Sequence, residues 1–166
     1  AADLAALADT VSFNLNKGLG APLGAILAGT RDVISEAVRV RQMFGGGWRP
    51  VGVLAAAGIV AIDRMIGRLG DDHVHAKQLA TGLAEIDGIL IDPASTETNI
   101  VLAQTTKMDP ETLSVSLAKL GVLVLPYASQ IRLVTHHEIT RDSVEKTLAA
   151  FRIVLAGENH GPSAWC

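Results

Sequence analysis

The sequence contains one cysteine and few aromatic residues, and each scarcity excludes a class of protein. Cys166 has no second cysteine with which to form an intrachain disulfide. The chain is therefore not a disulfide-stabilised domain, and a reducing compartment, the cytoplasm, fits best. Aromatic residues make up only 4% of the chain, whereas hydrophobic residues make up 49%. The core must be built from Ala, Val, Leu and Ile, which is usual in α/β proteins.

Strong net charge and a long apolar run are also missing. The formal net charge is −3 at pH 7, which gives no electrostatic reason to expect nucleic acid or an anionic membrane as a partner. The longest apolar run, residues 51–62, ends at Asp63 and Arg64. It is too short for a membrane-spanning helix, which needs about 20 residues. We therefore expect neither nucleic acid nor a membrane as a partner.

The first half of the sequence has apolar segments but no evident means of enclosing them. Their pattern predicts strands over residues 11–15 and 24–28, a helix over 31–43 after Thr30, and a helix over 51–69. The second helix is apolar nearly all round in its first half, which predicts burial between layers. These faces need a partner that the chain does not contain. We expect the sequence to be the C-terminal portion of a longer polypeptide.

The second half predicts a compact α+β unit. Asp71 or Asp72 can begin a more polar helix, and Asp109 and Thr140 are favourable first residues for two later helices. Gly121 should end the helix that Asp109 begins. The last two strands are close enough along the chain to pair as a hairpin. The predicted order is helix, strand, strand, helix, strand, strand, helix, at residues 71–86, 89–91, 99–104, 109–120, 122–125, 131–134 and 140–156.

Lys17 lies in residues 12–22, SFNLNKGLGAP, where glycines and a proline follow it. A lysine that forms a Schiff base must reach a cofactor carbonyl and be desolvated enough to lose its proton near neutral pH. Small residues after it allow the backbone to approach a bulky cofactor. A solvated turn lysine is the alternative interpretation.

Two arginines are further candidates for binding anions. Arg49 follows three consecutive glycines, 45–47, whose backbone N–H groups could face a phosphate while the guanidinium adds a bidentate contact. A flexible turn between helices is the alternative. Arg132 lies on a short predicted strand, where it is suited to bind a carboxylate. A surface arginine on a strand is its alternative.

Two further patterns in the sequence predict no site. His136, His137 and Glu138 resemble metal ligands, but successive residues of an extended chain point in opposite directions, so we expect no metal site. Gly18 and Gly20 lack the third glycine and the strand–turn–helix context of a dinucleotide fingerprint.

Four segments of the chain, in order, resemble the low-specificity threonine aldolases. These are pyridoxal 5'-phosphate (PLP) enzymes with the α/β fold of aspartate aminotransferase, fold type I. The segments are residues 12–22, SFNLNKGLGAP; 44–57, FGGGWRPVGVLAAA; 97–101, ETNIV; and 131–136, IRLVTH. The resemblance implies that residues 1–69 are the last elements of the large PLP-binding domain and 70–157 a small α+β domain. Residues 158–166 would form a tail.

The same resemblance implies roles for three residues. Lys17 is the Schiff-base lysine, Arg132 binds the substrate α-carboxylate, and Arg49 lies near the cofactor phosphate or a subunit interface. The implied reaction cleaves threonine or allo-threonine, small amino-acid substrates, to glycine and an aldehyde. The enzyme is expected to be a homo-oligomer. The other cofactor-binding groups of this fold precede the lysine, so a missing N-terminal half or a partner chain would supply them.

The sequence departs from the family at several positions. Asn14 and Asn16 stand where the family often has a cysteine and a small residue, and Trp48 and Pro50 also differ. Two alternatives stay open. The first is a related PLP enzyme, either a β-eliminating lyase or a phenylserine-type aldolase. The second is a non-catalytic interaction or structural domain that is a remnant of this fold.

Overall fold

A computed structural model describes residues 2–157, apart from the side chain of Leu4. The predicted tail, 158–166, lies outside the described residues. The chain divides into two compact units, Ala1–Leu69 and Gly70–Cys166. We call them unit 1 and unit 2. Among the described residues, no helix combines the length and apolar character needed to cross a membrane.

Unit 1 is built on an antiparallel hairpin. After a short helix, α1 (Ala2–Ala5), strand β1 (Thr10–Asn14) pairs with β2 (Ala25–Gly29). Both strands lie within one residue of their predicted positions. The connection, residues 15–24, folds back on the unit and contributes most of its small core.

A helix of the predicted length follows the hairpin. Helix α2 (Arg31–Met43) has the predicted bounds, and Thr30 occupies the N-cap position in an extended conformation. The Thr30 side chain nevertheless accepts no hydrogen bond from the helix, and no residue of α2 is buried. Its apolar side is therefore not covered by unit 1.

The predicted buried helix over 51–69 is neither a single α-helix nor buried. It consists of α3 (Gly52–Val60), a π-helical turn (Ala61–Met65) and a 3-10 turn (Ile66–Arg68). Ile59 and Val60 are 61% and 49% exposed. Within the described residues the hairpin and its loop cover only one side of the helix, which agrees with the expectation that its apolar faces need a partner outside this chain.

Unit 2 is a four-stranded antiparallel sheet with helices on one face. The strands lie in the order β3-β4-β6-β5, and one aliphatic core joins the buried sheet residues to three helices. The strands are β3 (Ile89–Leu90), β4 (Ile100–Thr105), β5 (Leu125–Tyr127) and β6 (Gln130–Val134). The helices are α4 (Leu69–Ala84), α5 (Pro110–Ala118) and α6 (Arg141–Leu155). The predicted order of helices and strands is confirmed.

Local signals set the ends of two of these helices as predicted. The Asp109 side chain accepts a hydrogen bond from the Thr112 N–H at 2.9 Å, which lowers the pKa of the Asp109 carboxyl. Gly121 follows α5 with φ +79°, the left-handed conformation that favours glycine. Thr140 and Ser143 form a reciprocal capping box at the start of α6.

Two other expectations are wrong. Neither Asp71 nor Asp72 begins a helix, because α4 already starts at Leu69, and Asp72 is only 1% exposed. The strand expected over 122–125 instead spans Leu125–Tyr127. The two-residue turn after Tyr127 pairs this residue with Gln130, so the strand must lie next to the turn.

We expect Phe151→Ala to lower the free energy of unfolding by about 3–5 kcal/mol, because Phe151 is fully buried in the core of unit 2. Chemical denaturation of the variant chain measures this change. Leu123→Ala is the control, since Leu123 is largely exposed, and its effect should stay within about 0.5 kcal/mol. Equal effects of the two substitutions would contradict the described core.

Candidate active site

Lys17 lies on the loop that joins β1 to β2, between two buried leucines. Leu15 and Leu19, each two residues from the lysine, pack with Ala21 and Ala61 in the core of unit 1. The Gly20 N–H donates to the Lys17 carbonyl at 2.9 Å. The two anchors and this bond hold the lysine backbone in place while its side chain remains exposed.

The glycine after the lysine has a packing role within unit 1. A Cβ atom at Gly18 would lie 2.8 Å from Cδ2 of Leu69, closer than real Cβ contacts. Gly18 was expected to leave space for a cofactor. In unit 1 the Leu69 side chain lies beside it. At the other end of the loop the Leu15 N–H donates to the Gly24 carbonyl at 2.9 Å, which closes it.

The amine of Lys17 is presented but not enclosed. Desolvation was expected for a Schiff-base lysine, yet the Lys17 side chain is exposed. The described part of unit 1 therefore positions the Lys17 amine but does not provide side chains that enclose it. Asn14 and Asn16, the departures from the family pattern, are exposed as well.

The three glycines before Arg49 end a helix. The Gly45 N–H donates to the carbonyl of Gln42 at 3.1 Å, and the Gly46 N–H to that of Arg41 at 2.8 Å. With Gly45 at φ +78°, this is the Schellman arrangement of a helix C-terminus. Carbonyls of α2 already accept from these two amides, which favours the turn between helices over a phosphate-binding loop as the interpretation of residues 45–47.

Arg49 itself is exposed and lies just before helix α3. The residue at the N-cap of α3, Val51, gives that helix no side-chain cap. Within the described residues, the first N–H groups of α3 thus have no side-chain acceptor, and Arg49 lies three residues before Gly52, the first residue of the helix. This is a setting in which an anion is favourable.

Arg132 lies on β6, a central strand of the sheet in unit 2. Its cross-strand partners are Leu102 on β4 and Leu125 on β5. The neighbouring residues of its own strand, Ile131 and Leu133, point into the core. Arg132 is therefore half-buried on the face opposite the helices, between two apolar side chains.

Hydrogen bonds join two of the segments that resemble the threonine aldolases, residues 97–101 and 131–136. The Thr135 N–H donates to the Asn99 carbonyl at 3.0 Å, and Asn99 Nδ2 donates to the Thr135 carbonyl at 2.9 Å. Sequence reasoning did not identify Thr135. A signal was available, because Ile131 and Leu133 alternate toward the core and position 135 continues that alternation. An apolar residue is expected there, and the sequence has a threonine.

The three cationic candidates share one electrostatic property. Within residues 2–157, the side chains of Lys17, Arg49 and Arg132 have no hydrogen-bond or ion-pair partner. Some other cations are paired, such as Arg141 with Glu145 and Lys146 with Asp142 on the same helix, whereas Arg31, Arg64 and Lys119 are as unpaired as the candidates within the described residues. The candidates are thus available to an external anion or carbonyl. Lys17 and Arg49 belong to unit 1 and Arg132 to unit 2.

Two other features of unit 2 are separate from these residues. A cavity of about 440 Å³ lies between Leu79, Val122 and Val144, and Arg132 does not line it. His136 Nδ1 lies 3.7 Å from a Glu138 carboxylate oxygen. Among residues 2–157, no group of three or more His, Cys, Asp and Glu side chains could hold a metal ion.

Comparison with solved structures defines the class of the fold. A Listeria monocytogenes protein assigned as an L-allo-threonine aldolase superimposes with a TM-score of 0.76 at 20% identity, over 90% of this chain and 45% of that one. Serine palmitoyltransferase from S. paucimobilis, solved with a bound adduct of PLP and myriocin, gives 0.66 at 19% identity, over 90% and 38%. The fold is that of PLP-dependent fold type I enzymes.

Sequence comparison then identifies the family. The model of the β-eliminating lyase family matches residues 1–106. Low-specificity L-threonine aldolase 1 of Arabidopsis thaliana is 40% identical over 149 residues, which cover 87% of this chain and 42% of that protein. The chain belongs to the β-eliminating lyase family and is similar to its threonine aldolases, as the four segments predicted. It spans less than half the length of this relative.

We expect Leu19→Ala to loosen the lysine loop, because it removes one of the two leucine anchors. Amide hydrogen exchange at Gly20 and Ala21 should accelerate at least about tenfold. Leu23→Ala is the matched control, since Leu23 belongs to the same loop but is 44% exposed. An equal acceleration in the control variant would show that buried leucines do not hold the loop.

Proposed function

We propose that the natural polypeptide containing this sequence is a PLP-dependent aldolase. It cleaves threonine, allo-threonine or similar β-hydroxy-α-amino acids to glycine and an aldehyde. The observation that carries the proposal is Lys17, an accessible amine whose backbone is held between two buried leucines. Similarity to threonine aldolases supports the choice of reaction.

The donor groups of unit 1 fit PLP, which has an aldehyde and a phosphate. Lys17 offers the primary amine that such an aldehyde takes up. Arg49 and the uncapped start of α3 offer a cation and backbone N–H groups to the phosphate. Unit 1 holds seven of the 14 Lys and Arg residues but five of the 17 acidic ones, so its charge also favours an anionic cofactor.

Arg132 binds the substrate α-carboxylate in this proposal. Within residues 2–157 its guanidinium has no carboxylate partner, and Arg132 pairs across the sheet with Leu102 and Leu125. An arginine in a partly apolar setting forms strong bidentate bonds with a carboxylate. By fixing the carboxylate, Arg132 orients the Cα–Cβ bond of the substrate. The bound cofactor supplies the electron sink for cleavage of that bond.

We further propose that residues 1–69 complete the large domain of this fold and that 70–157 are its small domain. The remaining cofactor contacts come from a further N-terminal segment or from a partner chain, and the enzyme is a cytoplasmic homo-oligomer. The uncovered apolar side chains of unit 1, such as Ile59 and Val60, support an additional partner surface.

A non-catalytic interaction domain is the second candidate function. Two observations favour it: the exposure of the Lys17 side chain and the uncovered apolar side of α3. This candidate predicts that substitution of Lys17 leaves every property of the polypeptide intact, whereas Ile59→Asp disrupts its assembly.

We expect the natural polypeptide, loaded with PLP, to show the visible absorption band of a lysine-bound cofactor. Lys17→Ala should abolish the band, and Lys17→Arg should abolish it too, because arginine keeps the charge but offers no primary amine. Absorption spectra measure this, with Lys119→Ala as the control that retains the band. A band that survives in Lys17→Ala would remove Lys17 from the cofactor site.

Analysis of the products separates the reactions. Incubation with threonine should yield glycine and acetaldehyde, each abolished by Lys17→Ala. Ammonia and a keto acid instead would indicate a β-eliminating lyase.

We expect Arg132→Leu to raise the KM for threonine by roughly 10- to 150-fold, the effect of losing a charged hydrogen-bonding partner. Steady-state kinetics measure the change. The control is Arg141→Leu, because Arg141 is exposed and pairs with Glu145 on its own helix. An unchanged KM in Arg132→Leu would mean that the carboxylate binds elsewhere.

A further inference from the structure

We infer that Asn99 and Thr135 are positioning residues for Arg132, because they set the register of the strand that carries it. This inference rests on the proposed function, in which Arg132 binds the substrate carboxylate. Neither side chain contacts the substrate. Each acts through the strand end that it holds.

The register between β4 and β6 has no turn to specify it. The hairpin of β5 and β6 has a two-residue turn, which fixes its pairing. In contrast, α5 and β5 lie between β4 and β6 in the sequence. Side chains alone must therefore determine how these two strands align.

Apolar alternation excludes some registers but not all. A slip of one residue would turn Arg132 into the core, and burial of Ile131 and Leu133 prevents it. A slip of two residues would keep every side chain on its own face. It would displace the guanidinium along the sheet by about 6–7 Å, which is two strand residues.

The hydrogen bonds of Asn99 oppose such a slip. Asn99 and Thr135 lie directly beyond the last ladder pair, Ile100 with Val134. The Asn99 carbonyl accepts from the Thr135 N–H, and the Asn99 side-chain amide donates to the Thr135 carbonyl at 2.9 Å. After a slip of two residues this amide would no longer face its acceptor.

The hydroxyl of Thr135 fixes the same strand end to a helix. Thr135 is 2% exposed, and its Oγ1 donates to the Asp72 carbonyl on α4 at 2.6 Å. A buried bond of this kind defines one position along the strand, which apolar contacts do not. Valine has the shape of threonine but cannot donate this bond, whereas serine can.

The consequence for Arg132 is positional. It lies on β6, three residues before Thr135, which directly follows the strand, and it faces the opposite side of the sheet. A strand end held to both β4 and α4 gives the guanidinium one location. If the strand end were free to shift, the guanidinium would occupy several positions, and only one of these positions would suit the substrate carboxylate.

The test is steady-state kinetics of the full natural polypeptide loaded with PLP, with threonine as substrate. Thr135→Val should raise KM about three- to tenfold, the effect of one neutral hydrogen bond, with little change in kcat. Asn99→Asp should act in the same direction, because its carboxylate cannot donate to the Thr135 carbonyl. Thr135→Ser should restore a KM near that of the unmodified protein.

Two comparisons separate positioning from general damage to the fold. Thr105→Val removes a similar hydroxyl bond, to the Met108 carbonyl at the other end of β4, and should leave KM unchanged. In a chain that already carries Arg132→Leu, Thr135→Val should raise KM no further, since the group it positions is gone.

The outcomes also distinguish this inference from the proposed function. If Arg132→Leu alone leaves KM unchanged, the role of Arg132 fails, and the inference fails with it. If Arg132→Leu raises KM but Thr135→Val and Asn99→Asp do not, the inference is overturned and the proposed function stands. Equal effects of Thr135→Val with and without Arg132 would overturn it as well. If Thr135→Val does not fold, KM is measured instead for Asn99→Asp, alone and combined with Arg132→Leu.

Discussion

Burial of Ile131 and Leu133 against the helices of unit 2 is the interaction on which the candidate carboxylate site depends. Successive strand residues point to opposite faces, so burying these two places Arg132 on the other face of the sheet. Because the helices of the described residues pack on the other face, Arg132 stays half-buried beside its strand neighbours Leu102 and Leu125. The scarcity of aromatic residues has a structural counterpart: apart from Phe151, this core is aliphatic.

Unit 1, in contrast to unit 2, has a small core and leaves apolar helix faces exposed. Its two anchoring leucines, Leu15 and Leu19, are enough to hold the lysine loop in place. They are not enough to cover the helices that follow, and Ile59 and Val60 remain exposed. A unit with an anchored lysine loop and uncovered helix faces is in keeping with a chain that spans 42% of its relative's length.

Sequence reasoning succeeded where a local interaction decides the outcome. Asp109, Gly121 and Thr140 act within a few residues of themselves, so their helix ends could be predicted without knowledge of the rest of the chain. It failed where the composition suggests one local arrangement and the backbone hydrogen bonds form another. Asp72 has the composition of a helix start but lies inside α4. The glycines before Arg49 have the composition of a phosphate loop, but the carbonyls of α2 accept two of their amide bonds.

By itself, the sequence determined the family, the order of the elements and the identity of the three cationic candidates. Motif residues and helix-capping residues lie close together in the sequence, so they can be recognised without the structure. Only the tertiary structure decided which groups surround those candidates. It placed leucines on either side of Lys17, left its amine exposed, and set Arg132 on the open face of a sheet whose end is held by Asn99 and Thr135. These arrangements depend on contacts between residues as many as 63 positions apart, Asp72 and Thr135, and no local pattern encodes such a contact.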